Sequence, residues 1–267
     1  MAWVDPFYSR SDRDADSSDA TIEDYESHSY GITAGFPTLL NGKNIDVILG
    51  VQKTALDIHD KTQEIDVTSL KAGLYFPELA TFDDVSVTGK ALVGYNNHDM
   101  TRKVLVNSNT TTGITNYTAD YSSWEITTGV DAQLKRPVNT SGTQMIAGAG
   151  LDLVYEAIES YSETANFAWD SRKVLQGVAN ASLGFTNKHH NGVVSHAIAT
   201  IKHRNVLSGK TTDYSINGTA VTFSGGDFSD TIAQLNVGAT YKAKDDVQLT
   251  LDVNASQSSN DITNMGA

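Results

Sequence analysis

The stretch Val247-Gln248-Leu249-Thr250-Leu251-Asp252-Val253-Asn254-Ala255-Ser256 alternates apolar and polar residues without a break. Side chains of an extended strand point to opposite faces at period two, so Val247, Leu249, Leu251, Val253 and Ala255 share one face. Gln248, Thr250, Asp252, Asn254 and Ser256 share the other. The ten residues before it repeat the pattern: Ala233, Leu235, Val237, Ala239 and Tyr241 against Gln234, Asn236, Gly238, Thr240 and Lys242. The turn Ala243-Lys244-Asp245-Asp246 separates the two. This predicts a β-hairpin with one apolar and one polar face.

Upstream, the same period returns in stretches of about ten residues, and helical spacing is not sustained in any long window. Trp124, Ile126, Thr128, Val130, Ala132 and Leu134 alternate with Glu125, Thr127, Gly129, Asp131, Gln133 and Lys135. Met145 to Ala157, Leu175 to Phe185, Val85 to Tyr95, Leu70 to Phe76, Ile45 to Val51 and Tyr30 to Phe36 read alike. The segments Trp3–Ser9 and Ala197–Ile201 are less clean. Eleven strands are expected, centred near residues 6, 32, 49, 71, 92, 129, 151, 180, 199, 238 and 251. Their connections alternate. Short turns fall at 37–43, 77–84, 136–143, 187–192 and 243–246; longer polar links fall at 11–24, 97–122, 160–173 and 205–230, with a modest one at 57–63. In the longest, Asn217-Gly218 between Tyr214-Ser215-Ile216 and Ala220-Val221-Thr222-Phe223 signals a further hairpin with a type I′ turn.

Composition narrows the reading. The 267 residues have a formal net charge of −13, which argues against nucleic acid as a partner. No cysteine is present, which excludes disulfides, thiol catalysis and Cys-ligated metal. Eleven Tyr, eight Phe and three Trp are too many for a chain disordered throughout. No apolar run is long enough for a transmembrane helix, and MAWVDPFYSR is not a signal peptide. With no composition shift along the chain, residues 1–267 are expected to form a single domain.

Uniformly apolar faces with little edge protection point to a closed barrel in a membrane, because closure removes exposed sheet edges. Aromatics near strand ends, namely Tyr30, Phe36, Phe76, Tyr95, Trp124, Tyr155, Phe185 and Tyr241, fit girdles at the two interfaces. Long links at one end and short turns at the other are the layout of an outer-membrane barrel. Such barrels usually have an even strand count. Asn264-Met265-Gly266-Ala267 therefore reads as the start of a twelfth strand cut short. The fold expected is all-β: an up-and-down antiparallel transmembrane barrel of about twelve strands.

In order and spacing the chain resembles the C-terminal β-domain of autotransporters, the translocator of type V secretion. Ala2-Trp3-Val4-Asp5-Pro6-Phe7 resembles the opening strand and Ser29 to Phe36 the second. GKALVGYNNHDMTR (89–102) resembles the middle strand with an aromatic-asparagine tip and an Arg; Ala147 to Glu163 resembles the strand with a Gly-rich start. The chain departs from the pattern in lacking a terminal aromatic, a helix before strand one, and a passenger. The resemblance implies a non-enzymatic pore and anchor in the outer membrane of a Gram-negative bacterium. It would take no cofactor and no metal, and would act as a monomer. Its partners would be the lipid bilayer, a passenger polypeptide and the barrel-assembly machinery. Lys71, Lys90, Glu125, Asp131, Lys135, Asp152, Glu156, Lys202, Lys242 and Asp252 would line the lumen, contacting the passing segment or pairing across strands. A barrel of this size encloses room for an extended chain or one helix, not a folded domain.

The alternatives are a small outer-membrane porin, a loop-presenting adhesin, or a soluble β-rich binding domain. His189-His190 with His196 and His203 reads as a solvated turn with scattered neighbours rather than a ligand set. The acidic segments 11–16 and 225–230 match no calcium loop. No Gly-x-Ser-x-Gly elbow supports serine hydrolysis.

Overall fold

The computed structural model describes residues 2–14, 24–58, 62–105, 113–138, 142–164, 167–190, 192–224, 229–244, 247–260 and 262–267. Among them no helix occurs. The strands are β1 (Trp3–Arg13), β2 (Tyr25–Leu40), β3 (Lys43–Ile58), β4 (Gln63–Phe82), β5 (Val85–Leu105), β6 (Ile114–Pro137), β7 (Thr143–Ile158), β8 (Tyr161–Glu163), β9 (Phe167–Trp169), β10 (Arg172–Lys188), β11 (Val193–Ser208), β12 (Thr211–Ile216), β13 (Thr219–Ser224), β14 (Ser229–Lys244), β15 (Val247–Ser258) and β16 (Ile262–Gly266). Twelve of them close an antiparallel barrel in the order β1-β2-β3-β4-β5-β6-β7-β10-β11-β14-β15-β16 and back to β1. The other four, in the order β13-β12-β9-β8, form a separate sheet at the end with the long links.

The apolar set of each strand faces outward and is exposed: Leu70, Trp124, Val130, Leu183, Ile201, Leu235, Leu251 and Val253 stand among the exposed large hydrophobics. In water that much apolar surface would be a liability; in lipid it is the contact face. Apart from a seam below the short β16, backbone donors and acceptors pair strand to strand around the cylinder, as hydrocarbon demands. Tyr30, Tyr95, Trp124 and Tyr155 ring one end of the apolar band, and Phe36, Phe76, Phe185 and Tyr241 the other. Tyr30 and Phe36 are six residues apart on β2, about 20 Å at the usual strand rise.

Some boundaries differ from the sequence reading. The segment 97–122, expected as a loop, is mostly strand: Asn97 to Leu105 pairs in unbroken register with Ser122 to Ile114. Above the membrane both faces of this hairpin are wet, so the apolar period that marks a strand is lost there. The expected loop 160–173 holds β8 and β9. The turns after β2 and β4 shrink to Asn41-Gly42 and Asp83-Asp84. Asn41 and Gly42 have φ of 50° and 79°, the left-handed pair a type I′ turn requires. The hairpin expected around Asn217-Gly218 is β12–β13, with φ of 50° and 79° at its tip. Pro77 falls where the β4–β5 register shifts between Phe76 and Ala80, so its missing N–H breaks no ladder bond.

The twelfth strand is five residues long. It pairs Ile262–Gly266 with Arg13–Ser9 of β1 and Thr263–Gly266 with Gln257–Asn254 of β15. Tyr8 and Ala267 also exchange backbone hydrogen bonds at 2.8 and 2.9 Å. Below that level the β1 edge from Trp3 to Phe7 faces β15 across a seam with no paired strand among the described residues. Tyr8 directs its N–H toward this seam, so the alternation aims the nitrogen of Pro6 there too, where a donor is not needed by β2.

Candidate functional site: the inner wall

The inner wall is built from the alternate residues of the same strands. Three inward rows carry a repeated device, in which two polar side chains on outer strands meet above a glycine on the strand between. Lys71 (β4), Gly94 (β5) and Glu125 (β6) are in register, and Lys71 Nζ donates to Glu125 Oε1 at 2.9 Å. Lys90 (β5), Gly129 (β6) and Asp152 (β7) are in register, with Lys90 Nζ 2.9 Å from Asp152 Oδ1. Asp131 (β6), Gly150 (β7) and Asn180 (β10) follow suit, with Asn180 Nδ2 donating to Asp131 Oδ1 at 3.2 Å. On the far side, His196 (β11) reaches Asp252 (β15) at 2.9 Å over Gly238 (β14).

At three of these glycines the missing Cβ leaves space that the crossing side chains occupy. A Cβ on Gly129 would collide with the Asp152 carboxylate and lie 2.9 Å from Lys90 Cε. One on Gly150 would meet Asp131 and sit 2.6 Å from Asn180 Nδ2. One on Gly238 would meet Asp252 and sit 2.6 Å from His196 Cε1. In β1 the same space is taken by aromatic rings. Phe7 lies 2.7 Å from where a Gly31 Cβ would be, and the Trp3 indole covers Gly35. This explains the mixed faces of β1 in the sequence: its inward positions Trp3, Asp5 and Phe7 include two large rings that glycines of β2 accommodate.

Higher on the wall, the fully buried Ser123 hydroxyl donates to Glu156 Oε1 at 2.8 Å and accepts from Asn96 Nδ2 at 3.1 Å, with His98 Nε2 also 3.1 Å away. Lys202 is half-buried beside Asn180 in the β10–β11 register. Lys135 and Lys242 share the inward parity but are exposed near the short-turn end. Eight of the ten expected lumen residues thus stand on the inner wall proper and two at its rim. The four histidines do not gather: His189 contacts Ser195 at 2.9 Å, His196 contacts Asp252, and His203 contacts Thr231 at 3.1 Å. Residues 15–16 and 225–228 of the acidic segments lie outside the described residues, as do 106–112 of the long link.

At the long-link end the inner face continues above the barrel as a curtain. Glu163, buried on β8, accepts from Arg102 Nη2 at 2.6 Å and from Trp169 Nε1 at 2.7 Å. Rings stack in series: His98 on Tyr121 (4.5 Å between centroids), Tyr121 on Tyr161 (4.2 Å), Tyr161 on Trp169 (5.9 Å), then Trp169 against Tyr214 (4.8 Å). Desolvation, with Tyr121 and Glu163 nearby, pushes the Tyr161 hydroxyl well above the usual phenol range. The sequence reading missed this cluster, because its members come from loops and polar strand ends where no period exists. The run of aromatics at 161, 167, 169 and 214 was the one available signal.

A twelve-stranded closed barrel with an apolar outer face and a charged, paired inner wall defines an outer-membrane β-barrel. The family model for the autotransporter beta-domain matches residues 2–254, and the chain belongs to that family. It is an outer-membrane barrel that exports a passenger. No curated protein matches the chain in sequence. Among solved structures, the translocator domain of autotransporter NalP from Neisseria meningitidis superposes with a TM-score of 0.71 at 12% identity, covering 99% of this chain and 85% of that one. The transport unit of AIDA-I from Escherichia coli gives 0.64 at 9% identity, covering 99% and 87%. The beta domain of the Bordetella autotransporter BrkA gives 0.59 at 13%, covering 98% and 97%. These likenesses are of fold.

Proposed function

We propose that this barrel works as a non-enzymatic monomer in the outer membrane of a Gram-negative bacterium, inserted by the barrel-assembly machinery. In this reading its inner wall is the surface along which the passenger travels. The observation that supports it is the wall itself. Lys71–Glu125, Lys90–Asp152 and Asp131–Asn180 pair with one another, so the lumen is wet but offers few unpaired charges to grip a moving chain. A segment in extended or single-helix form then slides past groups already paired. The test is surface display. A short epitope fused ahead of Trp3 is followed by antibody on intact cells, with Lys71→Glu and Glu125→Lys made singly and together. Each single change leaves two like charges facing the lumen and is expected to slow display, and the double swap is expected to restore it. Equal display in all three would remove the inner-wall pairs from the export path. The loop-presenting alternative rests on the β13-β12-β9-β8 sheet. It would be favoured if deleting that sheet, β8–β9 between β7 and β10 together with β12–β13 between β11 and β14, abolished cell binding without changing display.

A further inference from the structure

The lipid-facing surface of the barrel is not uniform. Across β2 to β5 the outward row Ala34, Leu49, Ala72 and Val93 lies one step nearer the short-turn end than Ile32, Val51, Leu70 and Tyr95, which continues to Trp124. The two alanines leave a dip below the larger residues. The result is an apolar groove of about 590 Å³ on the outside of the barrel. Tyr95 and Trp124, edge to face with centroids 5.1 Å apart, bound its upper end.

One step above the rim stand Tyr30, Lys53, Thr68 and Asn97, in register. A step of two residues is about 6.7 Å, so Lys53 sits at headgroup height over a groove sized for hydrocarbon. It is exposed and has no hydrogen bond or ion pair among the described residues. Its neighbours define where an anion fits. Asp66, Asp99 and Asp120 form the next outward row on β4, β5 and β6 and repel one from that side. On the other side are the hydroxyl-bearing rings of Tyr30 and Tyr8, while Arg10 is already held by Asp12 and Glu26.

We propose that this groove and Lys53 form a site for one anionic membrane lipid, with an acyl chain in the groove and the phosphate on the Lys53 ammonium. A lysine point charge at the interface suits a phosphate headgroup. The chain as a whole, at −13, repels anionic lipid elsewhere. The molecule also carries its own control. A second lipid-facing groove of about 710 Å³ lies across β10, β11, β14 and β15, over Ala181, Ile201, Ala233, Leu235 and Ala255. The positions one step above it are Ala179, His203, Thr231 and Ser259, with no lysine or arginine. That groove takes hydrocarbon without selecting charge.

Trp124 on the rim of the first groove makes the site readable. The full chain is reconstituted in phosphatidylcholine vesicles carrying rising fractions of brominated phosphatidylglycerol or brominated phosphatidylcholine. Contact quenching of Trp124 is taken as the difference between the native chain and Trp124→Phe. The anionic lipid should reach half-quenching at a mole fraction about fivefold lower than the neutral one, the effect of one interfacial cation. Lys53→Gln should abolish that preference, and Ala72→Phe, which fills the dip, should reduce quenching by both lipids. In the native chain, NaCl at about 0.5 M should shrink the preference, because an exposed charge pair is screened. Identical curves for the two lipids, or a preference that survives Lys53→Gln or salt, overturn the proposal. The export reading would stand regardless, since quenching reports only lipid contact.

Discussion

Adding one methyl group to Gly129 should separate a steric role for glycine from every other explanation of its recurrence on the inner wall. The Cβ of Gly129→Ala would occupy space held by the Asp152 carboxylate and would lie 2.9 Å from Lys90 Cε, so the 2.9 Å ion pair must part. Both side chains are less than a third exposed, 31% and 20%. A charge-assisted hydrogen bond in such a setting contributes about 1.5–3 kcal/mol, and the wet lumen places this one near 2. Against this, alanine restricts the unfolded chain and stabilises by about 0.4–1 kcal/mol. The net expectation is a loss of about 1 kcal/mol. In a background where Lys90→Ala and Asp152→Ala have already removed the pair, the clash is gone and only the chain-entropy gain remains. There the same Gly129→Ala should stabilise by about 0.4–1 kcal/mol. Urea unfolding of the barrel in phospholipid vesicles, followed by tryptophan emission, measures both legs. A sign reversal between backgrounds is the diagnostic outcome. A cost equal in the two backgrounds within about 0.3 kcal/mol would refute the steric reading, and the glycine would then serve backbone curvature alone.

Other outcomes follow from the curtain and the turns. Glu163→Ala strips acceptors from both Arg102 and Trp169. It should raise hydrogen exchange in β8, β9 and β12 about a hundredfold, the equivalent of about 2.7 kcal/mol, while the barrel keeps its heat-modifiable gel mobility; protection unchanged in these strands would deny the cluster its role. Tyr161 has a folded pKa raised by burial, so its contribution is complete below the unfolded value of about 10 and is lost as pH climbs toward the folded one. Protease resistance of the curtain should therefore fall above about pH 10 in the native chain, and a Tyr161→Phe variant should lose that part of the dependence. Gly218→Ala puts a side chain on a residue at φ 79° with open space around it. The cost should be backbone strain alone, about 1 kcal/mol, seen as faster exchange in β12 and β13 with no change in the barrel.

The β-barrel was legible in the sequence because lipid and lumen impose opposite demands on successive residues. Val247 to Ser256 suits a wall with one apolar face and the other in water, and the alternation of link lengths carried the up-and-down topology. The positions of Lys71, Lys90, Glu125, Asp131 and Asp152 on one face followed from parity. Parity could not say that Lys71 meets Glu125 and Lys90 meets Asp152, because those partners are 54 and 62 residues apart and are joined only by strand register. Nor could it explain Gly129, Gly150 and Gly238, whose missing Cβ leaves space for the side chains that cross above them from strands on either side. The curtain was the least legible part. Outside the membrane no solvent asymmetry enforces a period, so β5 and β6 ran on unseen past Asn97 and Ser122, and Glu163, Trp169 and Tyr214 met only through tertiary packing. A single chain thus writes into its sequence whatever the surrounding solvent dictates residue by residue, whereas contacts between distant strands exist only once the cylinder has closed and fixed their register.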